Sequence, residues 1–252
     1  MAKDTTPKAV RKVAIITGAA HRIGASITQK LHQSGMNVVL HYRHSHQEAQ
    51  CLCDDLNAIR PHSAAALQAD LHHQESLSPL IEKSQRQWGR LDLLVNNASS
   101  FYPTEVADVT EEIWNELLGS NLKAPFFLSQ AAAPHLKKQR GSIVNIVDIH
   151  AERPLKNHPL YSIAKAGLVM MTKSLACELG PEIRVNGVAP GAILWPDHDM
   201  DDETRARIIS RTFLQRQGEA DNIAEAVLFL ARSAPYTTGH ILTVDGGRSL
   251  NS

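Results

Sequence analysis

Short apolar runs, rich in β-branched residues, recur at seven places along the chain and predict seven β-strands. The runs cover 12–17, 37–42, 63–70, 91–97, 142–148, 183–190 and 240–247. Each run is nearly continuous rather than alternating, which is typical of strands buried on both faces, and the segments between the runs have helical period and length. Strand and helix therefore alternate, and this alternation predicts an α/β fold in which parallel strands are joined by right-handed crossovers.

No linker rich in proline, glycine or serine, and no repeat, interrupts this pattern. We therefore expect a single domain over 12–252, preceded by a flexible N-terminal tail at 1–11. The exception is 192–216, where an acidic loop that contains proline and a short helical pattern replace the expected crossover. An insertion of this kind near the end of an α/β sheet often covers a substrate, and a plain surface excursion is the alternative.

The composition excludes several classes of function. The 26 Lys and Arg residues balance 26 Asp and Glu residues, so no field draws the chain to nucleic acid or to anionic lipid. No run of 18 apolar residues is present, and the odd set Cys51, Cys53 and Cys177 is typical of free thiols in a reducing cytoplasm. His72 and His73 lack a third ligand at a recognisable spacing, so we expect no metal.

A loop of small residues follows the first predicted strand and precedes a helical pattern that runs from Gly24 to Gln33. At such a junction the backbone can approach a pyrophosphate group, which lies at the positive N-terminal end of the helix. The spacing is Gly-x5-Gly, and an ordinary turn is the alternative. We expect a Rossmann-type doubly wound parallel sheet with helices on both faces, which binds a dinucleotide through Gly18, His21, Arg22, Ile23 and Gly24.

The end of the second predicted strand indicates which dinucleotide is preferred. Folds that select NAD place an acidic residue there to bind the ribose 2′-hydroxyl, whereas this chain has a basic segment whose nearest acid is Glu48. A cation attracts a 2′-phosphate that an acid would repel, so the segment favours NADPH, with a solvated basic turn as the alternative. The residues expected to bind the cofactor here are His41, Tyr42, Arg43, His44 and Ser45. Asp70 and Leu71 are expected at the adenine, and Asn96, Asn97, Ala98 and Ser99 near the ribose.

Tyr161 and Lys165 are four residues apart in a helical pattern over 160–179, so they share one face of the helix. A phenol is a poor acid or base at neutral pH, but a nearby ammonium group stabilises the phenolate and lowers the pKa of the tyrosine. The spacing occurs by chance in many chains, and a surface pair is the alternative. The pair follows the fifth predicted strand, whose carboxyl end carries Asp148. Ligands of open α/β sheets bind beyond these strand ends.

Several motifs together resemble the short-chain dehydrogenase/reductase family over nearly the whole chain. They are TGAAHRIG at 17–24, NNA at 96–98, Asn121, Tyr161-x3-Lys165, Pro190-Gly191 and DGG at 245–247. Within that family, four features resemble the pteridine reductases. These are the Gly-x3-Arg-x-Gly loop, the segment HYRHS at 41–45, the segment NASSFYP at 97–103, and Asp148 in place of the usual serine.

The resemblance implies a reactive pocket and a role for each residue in it. Arg22, Ser99, Phe101, Asp148 and Tyr161 would contact the substrate, with Phe101 stacked on one face of a planar pterin. Asp148 would orient Tyr161, and Asn121 would position a water molecule. Tyr161 and Lys165 would also bind the cofactor, with Lys165 on the nicotinamide ribose. Pro190 and Gly191 would complete the cofactor site, and family members are commonly homotetramers.

Three functions remain open at this point. The first is NADPH-dependent reduction of dihydropterins such as dihydrobiopterin or dihydrofolate, and of oxidised pterins as well. The second is a general carbonyl reductase acting on 3-oxoacyl thioesters or sugars, against which Asp148 speaks because a carboxylate repels a developing alkoxide. The third is a dinucleotide-binding regulator without turnover, against which Asn121, Tyr161 and Lys165 speak.

Overall fold

The computed structural model describes residues 11–193 and 201–251. All seven predicted strands are confirmed, and they form one parallel sheet in the order β3-β2-β1-β4-β5-β6-β7. The strands are β1 (Val13–Ile16), β2 (Asn37–Tyr42), β3 (Ala64–Gln68), β4 (Leu93–Asn96), β5 (Ser142–Ile146), β6 (Arg184–Pro190) and β7 (Ile241–Val244). The α/β doubly wound fold expected from the alternation is therefore the observed one.

Helices cover both faces of this sheet. They are α1 (Arg22–Gln33), α2 (His46–Ile59), α3 (Gln74–Arg86), α4 (Glu111–Leu118), α5 (Ala124–Gln139), α6 (Pro159–Leu179), α7 (Asp202–Ser210) and α8 (Ala220–Arg232). Apolar residues of α1, α2 and α8 pack on one face, and those of α3 and α5 pack on the other. A π-helical turn, Gly119–Lys123, joins α4 to α5.

The strand β1 shows why its sequence is apolar throughout. Ala14 and Ile16 point into the core on one face of the sheet, whereas Val13 and Ile15 point into the core on the other face. All four residues are fully buried. Because successive side chains of a strand point to opposite faces, a sheet covered on both faces needs apolar residues at every position.

The strand order reverses at β1, which has β2 on one side and β4 on the other. In open α/β sheets, ligands bind beyond the carboxyl ends of the strands at such a switch point. The loops that follow β1, β2, β4 and β5 meet at this edge. They carry the glycine loop, Arg43, Asn97 and Asp148.

The glycine loop packs too tightly for a side chain at two positions. A Cβ atom at Gly24 would lie 2.1 Å from the carbonyl oxygen of Gly18. Gly18 has a φ of +62°, and a Cβ atom there would lie 3.0 Å from the Cα atom of Ala98. Arg22 also has a positive φ, 52°, which is uncommon for a residue with a side chain. The turn into α1 therefore brings bare backbone to the edge of the sheet, as a pyrophosphate site requires.

His41 holds this loop on the sheet. Its Nδ1 atom accepts a hydrogen bond from the backbone N–H of Gly18 at 3.2 Å, so the proton lies on Nε2, which donates to the carbonyl oxygen of Ala69 at 3.1 Å. The side chain is buried, and burial lowers the pKa of His41 from 6.5 to about 4. His41 was expected at the cofactor, but both of its ring nitrogens bind backbone groups of the protein. It therefore supports the loop as a neutral imidazole.

Parts of two predicted segments lie outside the described residues. The expected N-terminal tail at 1–11 is described only at Arg11, and the expected substrate loop at 192–216 is described except for 194–200. The described part of that loop contains α7, which agrees with the short helical pattern in the sequence. None of the described helices is long and apolar enough to cross a membrane. Over the same residues, no three His, Cys, Asp or Glu side chains are grouped so that they could hold a metal ion.

Acid should unfold the protein partly through His41. The folded protein keeps this histidine neutral until the pH falls to about 4, whereas the unfolded chain binds the proton near pH 6.5. Stability from this group is therefore present above pH 6.5 and is lost as the pH falls towards 4, with a slope of about 1.4 kcal/mol per pH unit. His32, also buried with a pKa lowered to about 4, acts in the same direction.

The variant His41→Gln keeps one acceptor and one donor but cannot titrate. We expect urea unfolding at a series of pH values to show a slope between pH 6.5 and 4 that is lower by about 1.4 kcal/mol per pH unit in the variant. His62→Gln, at an exposed position, is the control for the exchange of histidine for glutamine. Equal slopes for His41→Gln and the unaltered protein would show that His41 binds its proton at the same pH in the folded and unfolded states.

Candidate active site

A cleft with a volume of about 460 Å³ lies at the carboxyl ends of β1, β2 and β4. Fourteen of the residues predicted at the cofactor line it. They are Gly18, His21, Arg22, Ile23, Gly24, His41, Tyr42, Arg43, His44, Ser45, Leu71, Asn97, Ala98 and Ser99. The sequence prediction missed four further lining residues, Ala20, His72, Ser100 and Ser120. Each of the four is adjacent in the chain to a predicted residue, or to Asn121, so proximity in sequence was the only available signal.

One end of the cleft has the features of a phosphate site. The N-terminus of α1 opens into it, and the first turn of this helix contains no acidic residue. Free backbone N–H groups at a helix N-terminus carry partial positive charge and attract anions. Together with the close approach of backbone at Gly18 and Gly24, this end fits the pyrophosphate of a nicotinamide dinucleotide.

The other end of the cleft carries a fixed cation. The Nε atom of Arg43 donates to Oδ2 of Asp70 at 3.0 Å, and 44% of the Arg43 side chain is exposed. Burial opposes ionisation of Asp70, but hydrogen bonds from the backbone and the ring of His72, together with the charge of Arg43, hold the pKa of Asp70 below its ordinary value. Asp70 is therefore an anion that orients Arg43 at the rim of the cleft.

The two asparagines at the end of β4 have different positions, since one is buried in the sheet and the other lines the cleft. Asn96 was expected near the ribose, and this prediction is wrong, because Asn96 is buried and its amide donates to Oδ1 of Asn145 at 2.8 Å. Asn97 lines the cleft, and its amide donates to the carbonyl oxygens of Thr17 and Gly18 at 2.8 and 3.0 Å. Asn97 therefore fixes the glycine loop from the side opposite to His41.

Tyr161 and Asp148 form the central contact beside the cleft. The hydroxyl of Tyr161 donates to Oδ2 of Asp148 at 2.8 Å. The other carboxylate oxygen, Oδ1, accepts from the backbone N–H of His150 at 2.8 Å and begins a short 3-10 helix, Ile149–Ala151. Asp148 thus caps a turn with one oxygen and binds the tyrosine with the other. The expected hydrogen bond between these two residues is present.

The electrostatics of Tyr161 differ from the sequence prediction. Burial, and then the charge of Asp148, raise the pKa of Tyr161 well above 10, whereas the spacing to Lys165 predicted a lower value. The Nζ atom of Lys165 lies 5.5 Å from the centre of the tyrosine ring and donates to the carbonyl oxygen of Ile146 at 3.0 Å. Burial lowers the pKa of Lys165 to about 8, while Asp148 acts in the opposite direction. Tyr161 is therefore a neutral hydrogen-bond donor in this structure, because burial and the adjacent carboxylate both disfavour the phenolate.

A short loop, Ser99–Phe101, connects the cleft to Tyr161. The hydroxyl of Ser99 donates to Oδ1 of Asn121 at 2.7 Å, and the amide of Asn121 donates to the carbonyl oxygen of Ser100 at 2.9 Å. Asn121 lies in the π-helical turn between α4 and α5, and its side chain ties the loop to that turn. The ring of Phe101, half exposed, meets Tyr161 at an angle of 75° with ring centres 4.8 Å apart.

Pro190 and Gly191 lie at the carboxyl end of β6. The backbone N–H of Gly191 donates to the carbonyl oxygen of Val244 at 3.0 Å, and a Cβ atom at Gly191 would lie 2.5 Å from the Cβ atom of Asp245. This glycine therefore allows close packing of the loops that follow β6 and β7. Neither residue lines the cleft of about 460 Å³.

The arrangement joins two chemical capacities. A cleft with a helix N-terminus at one end and a cation at the other fits a dinucleotide, and a hydrogen-bonded tyrosine and carboxylate beside it can transfer a proton. An aromatic ring next to this pair offers a flat surface for a planar group. The residues present therefore fit a reduction in which a bound cofactor and a proton donor act on the same substrate.

Known proteins resemble this chain over almost its full length. Residues 18–249 match the sequence profile of a family described as enoyl-(acyl carrier protein) reductase. Pteridine reductase 1 of Leishmania tarentolae is 38% identical, with 98% of each chain covered. Granaticin polyketide synthase putative ketoacyl reductase 2 of Streptomyces violaceoruber is 35% identical, with 94% of this chain and 96% of the relative covered. The 3-oxoacyl-[acyl-carrier-protein] reductase of Staphylococcus aureus is 34% identical, with 94% and 97% covered.

These relatives are reductases, and their similarity extends over the parallel sheet, the glycine loop and the helix that carries Tyr161 and Lys165. The chain belongs to the short-chain dehydrogenase/reductase family, whose reductases use a nicotinamide dinucleotide.

Proposed function

We propose that the protein is an NADPH-dependent pteridine reductase that converts dihydropterins, such as dihydrobiopterin and dihydrofolate, to tetrahydropterins. Oxidised pterins are a further substrate class in this proposal. The observation that carries it is the hydrogen bond of 2.8 Å between the Tyr161 hydroxyl and the Asp148 carboxylate. At this position the wider family commonly has a serine, so the partner of the tyrosine is an anion instead of a neutral hydroxyl.

The charge of Asp148 favours one type of reacting group. Reduction of a ketone develops negative charge on the oxygen, which a neighbouring carboxylate would destabilise. Reduction of a carbon–nitrogen double bond in a pteridine ring adds a proton to the nitrogen as the carbon receives a hydride. No oxyanion forms in this reaction, and a carboxylate beside the nitrogen stabilises the proton as it approaches.

The residues of the chain then divide the work. When bound, the reduced nicotinamide supplies the hydride. Asp148 orients the Tyr161 hydroxyl and accepts its hydrogen bond in this structure. With the ring bound, the hydroxyl would turn to give that proton to the ring nitrogen, and Tyr161 would regain a proton from solvent after each turnover. Phe101 binds one face of the ring, which holds the ring carbon within reach of the hydride donor. Lys165 lies behind Tyr161 and would hold the nicotinamide ribose.

Two further parts of the proposal concern the cofactor and the molecule as a whole. Arg43, oriented by Asp70, supports NADPH because its guanidinium group at the cleft would pair with a 2′-phosphate. Three free cysteines, two of them exposed, support a location in the cytoplasm. The resemblance to the family supports a homotetramer, and it gives no reason to expect nucleic acid or a membrane as a partner.

The second candidate is a carbonyl reductase. It is favoured by the relatives whose names specify ketoacyl or 3-oxoacyl substrates, and by a probable galactose dehydrogenase of Rhizobium meliloti that is 35% identical, with 92% of this chain and 93% of the relative covered. Tyr161 and Lys165 would serve a ketone equally well. The two candidates therefore differ at Asp148.

The variant Arg43→Asp should invert the preference between coenzymes. It removes the cation at the rim of the cleft and places a second carboxylate beside Asp70, so the loss of NADPH binding should be about 2 to 4 kcal/mol while NADH suffers little. The ratio of kcat/KM for NADPH and NADH measures it. Arg86→Asp, at an exposed position of α3 paired with Glu82, is the control. An unchanged ratio in Arg43→Asp would remove Arg43 from the coenzyme site.

The variant Tyr161→Phe should lower kcat about 10²- to 10⁴-fold and leave NADPH affinity nearly unchanged, since only the hydroxyl group is lost. Stopped-flow turnover with dihydrobiopterin measures the first quantity, and a titration of NADPH fluorescence measures the second. Turnover close to that of the unaltered protein would show that the proton comes from another group.

The variant Asp148→Ser tests the proposed function directly. Serine can still accept the hydrogen bond from the His150 N–H, so the turn at 149–151 should remain and the melting temperature should change little. We expect dihydrobiopterin reduction to fall tenfold or more, while reduction of an activated ketone stays unchanged or rises. Asp148→Asn is the matched control, since it keeps the shape and one oxygen but removes the charge.

Parallel assays of both substrates, with thermal melts of each variant, separate the possible results. An equal fall in both activities together with a lower melting temperature would mean that Asp148 only caps the turn. Full dihydrobiopterin activity in Asp148→Ser would contradict the inference from the carboxylate to a pteridine and favour the carbonyl reductase.

A further inference from the structure

The imidazole of His158 is stacked on the ring of Phe101. The two ring centres are 4.7 Å apart and the planes are inclined by 15°. We propose that His158 is a positioning residue, which binds one face of Phe101 so that the other face is presented to a planar substrate beside Tyr161. This inference rests on the proposed function, because it specifies how that site would select flat heteroaromatic rings.

The exposure of Phe101 supports this assignment of its two faces. His158 covers one face, and Tyr161 meets the ring at 75° with a centre distance of 4.8 Å. Phe101 nevertheless remains 50% exposed. Because His158 covers one face of the ring, we infer that the exposed surface includes the second face. An apolar face left open next to the Tyr161 hydroxyl is a binding surface for a flat ring rather than part of the core.

His158 is itself held in a fixed orientation. Its Nδ1 atom donates to the carbonyl oxygen of Lys156 at 3.0 Å, so the ring is anchored to its own turn. The backbone of that turn is bound to the loop that carries Phe101, because the N–H of Thr104 donates to the carbonyl oxygen of Asn157 at 2.6 Å. The loop and the turn before α6 therefore form one unit, and the stacked pair lies at their junction.

The place of His158 in the chain links the stack to the proton donor. His158 is the residue that precedes the first turn of α6, and its carbonyl oxygen accepts a hydrogen bond from the N–H of Ser162. Tyr161 lies in that same first turn. The side chain of His158 makes no capping hydrogen bond to the helix, so a substitution of His158 changes the stack without removing a helix cap. The orientation of Phe101 and the position of the Tyr161 hydroxyl thus depend on one short segment.

Two variants separate the ring of His158 from its hydrogen bond. His158→Ala removes both the ring and the contact to Lys156, whereas His158→Phe keeps an aromatic ring at the same place but cannot donate to Lys156. We expect His158→Ala to raise the KM for dihydrobiopterin about three- to tenfold with kcat within about twofold, as expected for the loss of one aromatic contact. His158→Phe should restore the KM. NADPH affinity, measured by fluorescence titration, should be the same in all three proteins.

A compact activated ketone serves as the control substrate, because it has no flat ring to stack. Its KM should not change in His158→Ala. A KM for dihydrobiopterin unchanged in His158→Ala, or a parallel rise for the ketone, would overturn the role of His158 while leaving the proposed function intact. Absence of any dihydropterin turnover in the unaltered protein would instead contradict the proposed function, and the part of this inference that concerns substrate would fail with it.

The stack can also be measured without turnover. Incorporation of 4-fluorophenylalanine labels the five phenylalanines of the chain, and Phe101→Leu identifies the signal of Phe101 by its loss. Stacking on an imidazole should shift the fluorine resonance of Phe101, and this shift should disappear in His158→Ala and persist in His158→Phe. A resonance that does not respond to His158→Ala would show that the two rings are not stacked in solution.

Discussion

Parallel pairing of all seven strands is the constraint on which the rest of the structure depends. Parallel strands need a crossover after each strand, so helices cover both faces of the sheet. The five central strands are buried almost throughout, whereas the edge strands β3 and β7 are only partly buried. The loops that follow the carboxyl ends of the strands hold polar side chains from several strands together at one edge of the sheet. The glycine loop, Arg43, Asn97 and Asp148 meet there because each follows a different strand. Segments that are distant in the chain therefore build one cleft.

Burial beside this edge determines the protonation of the reactive groups. Tyr161 and Lys165 are 5% and 2% exposed, so the charged form of each is disfavoured. Asp148 raises the pKa of both groups, because its negative charge stabilises the ammonium group of Lys165 and destabilises a phenolate at Tyr161. Tyr161 is therefore neutral in this structure, and its hydroxyl proton lies in the hydrogen bond to the carboxylate. Asp148, two residues after β5, thus affects the protonation of Tyr161 and Lys165 in α6.

Neutral polar groups fix the loop that would approach the cofactor. His41 and Asn97 bind the backbone of Gly18 from two sides, and neither carries a charge that would compete with a phosphate. The cation at the opposite end, Arg43, is instead fixed by the anion Asp70. Neutral side chains therefore hold the backbone at the N-terminus of α1, whereas a charged side chain holds Arg43 at the rim of the cleft. This division keeps the partial positive charge of the helix available to a ligand.

The sequence by itself determined the seven strands, their parallel pairing and the helix that carries Tyr161 and Lys165, because periodicity and strand-end motifs are local patterns. It also indicated the bond between Tyr161 and Asp148 through the family resemblance. Only the tertiary structure decided the direction of the Tyr161 pKa shift, the burial of Asn96, the backbone contacts of His41 and the stack of His158 on Phe101. Those features depend on burial and on contacts between loops from different strands, and neither is encoded in the spacing of residues along the chain.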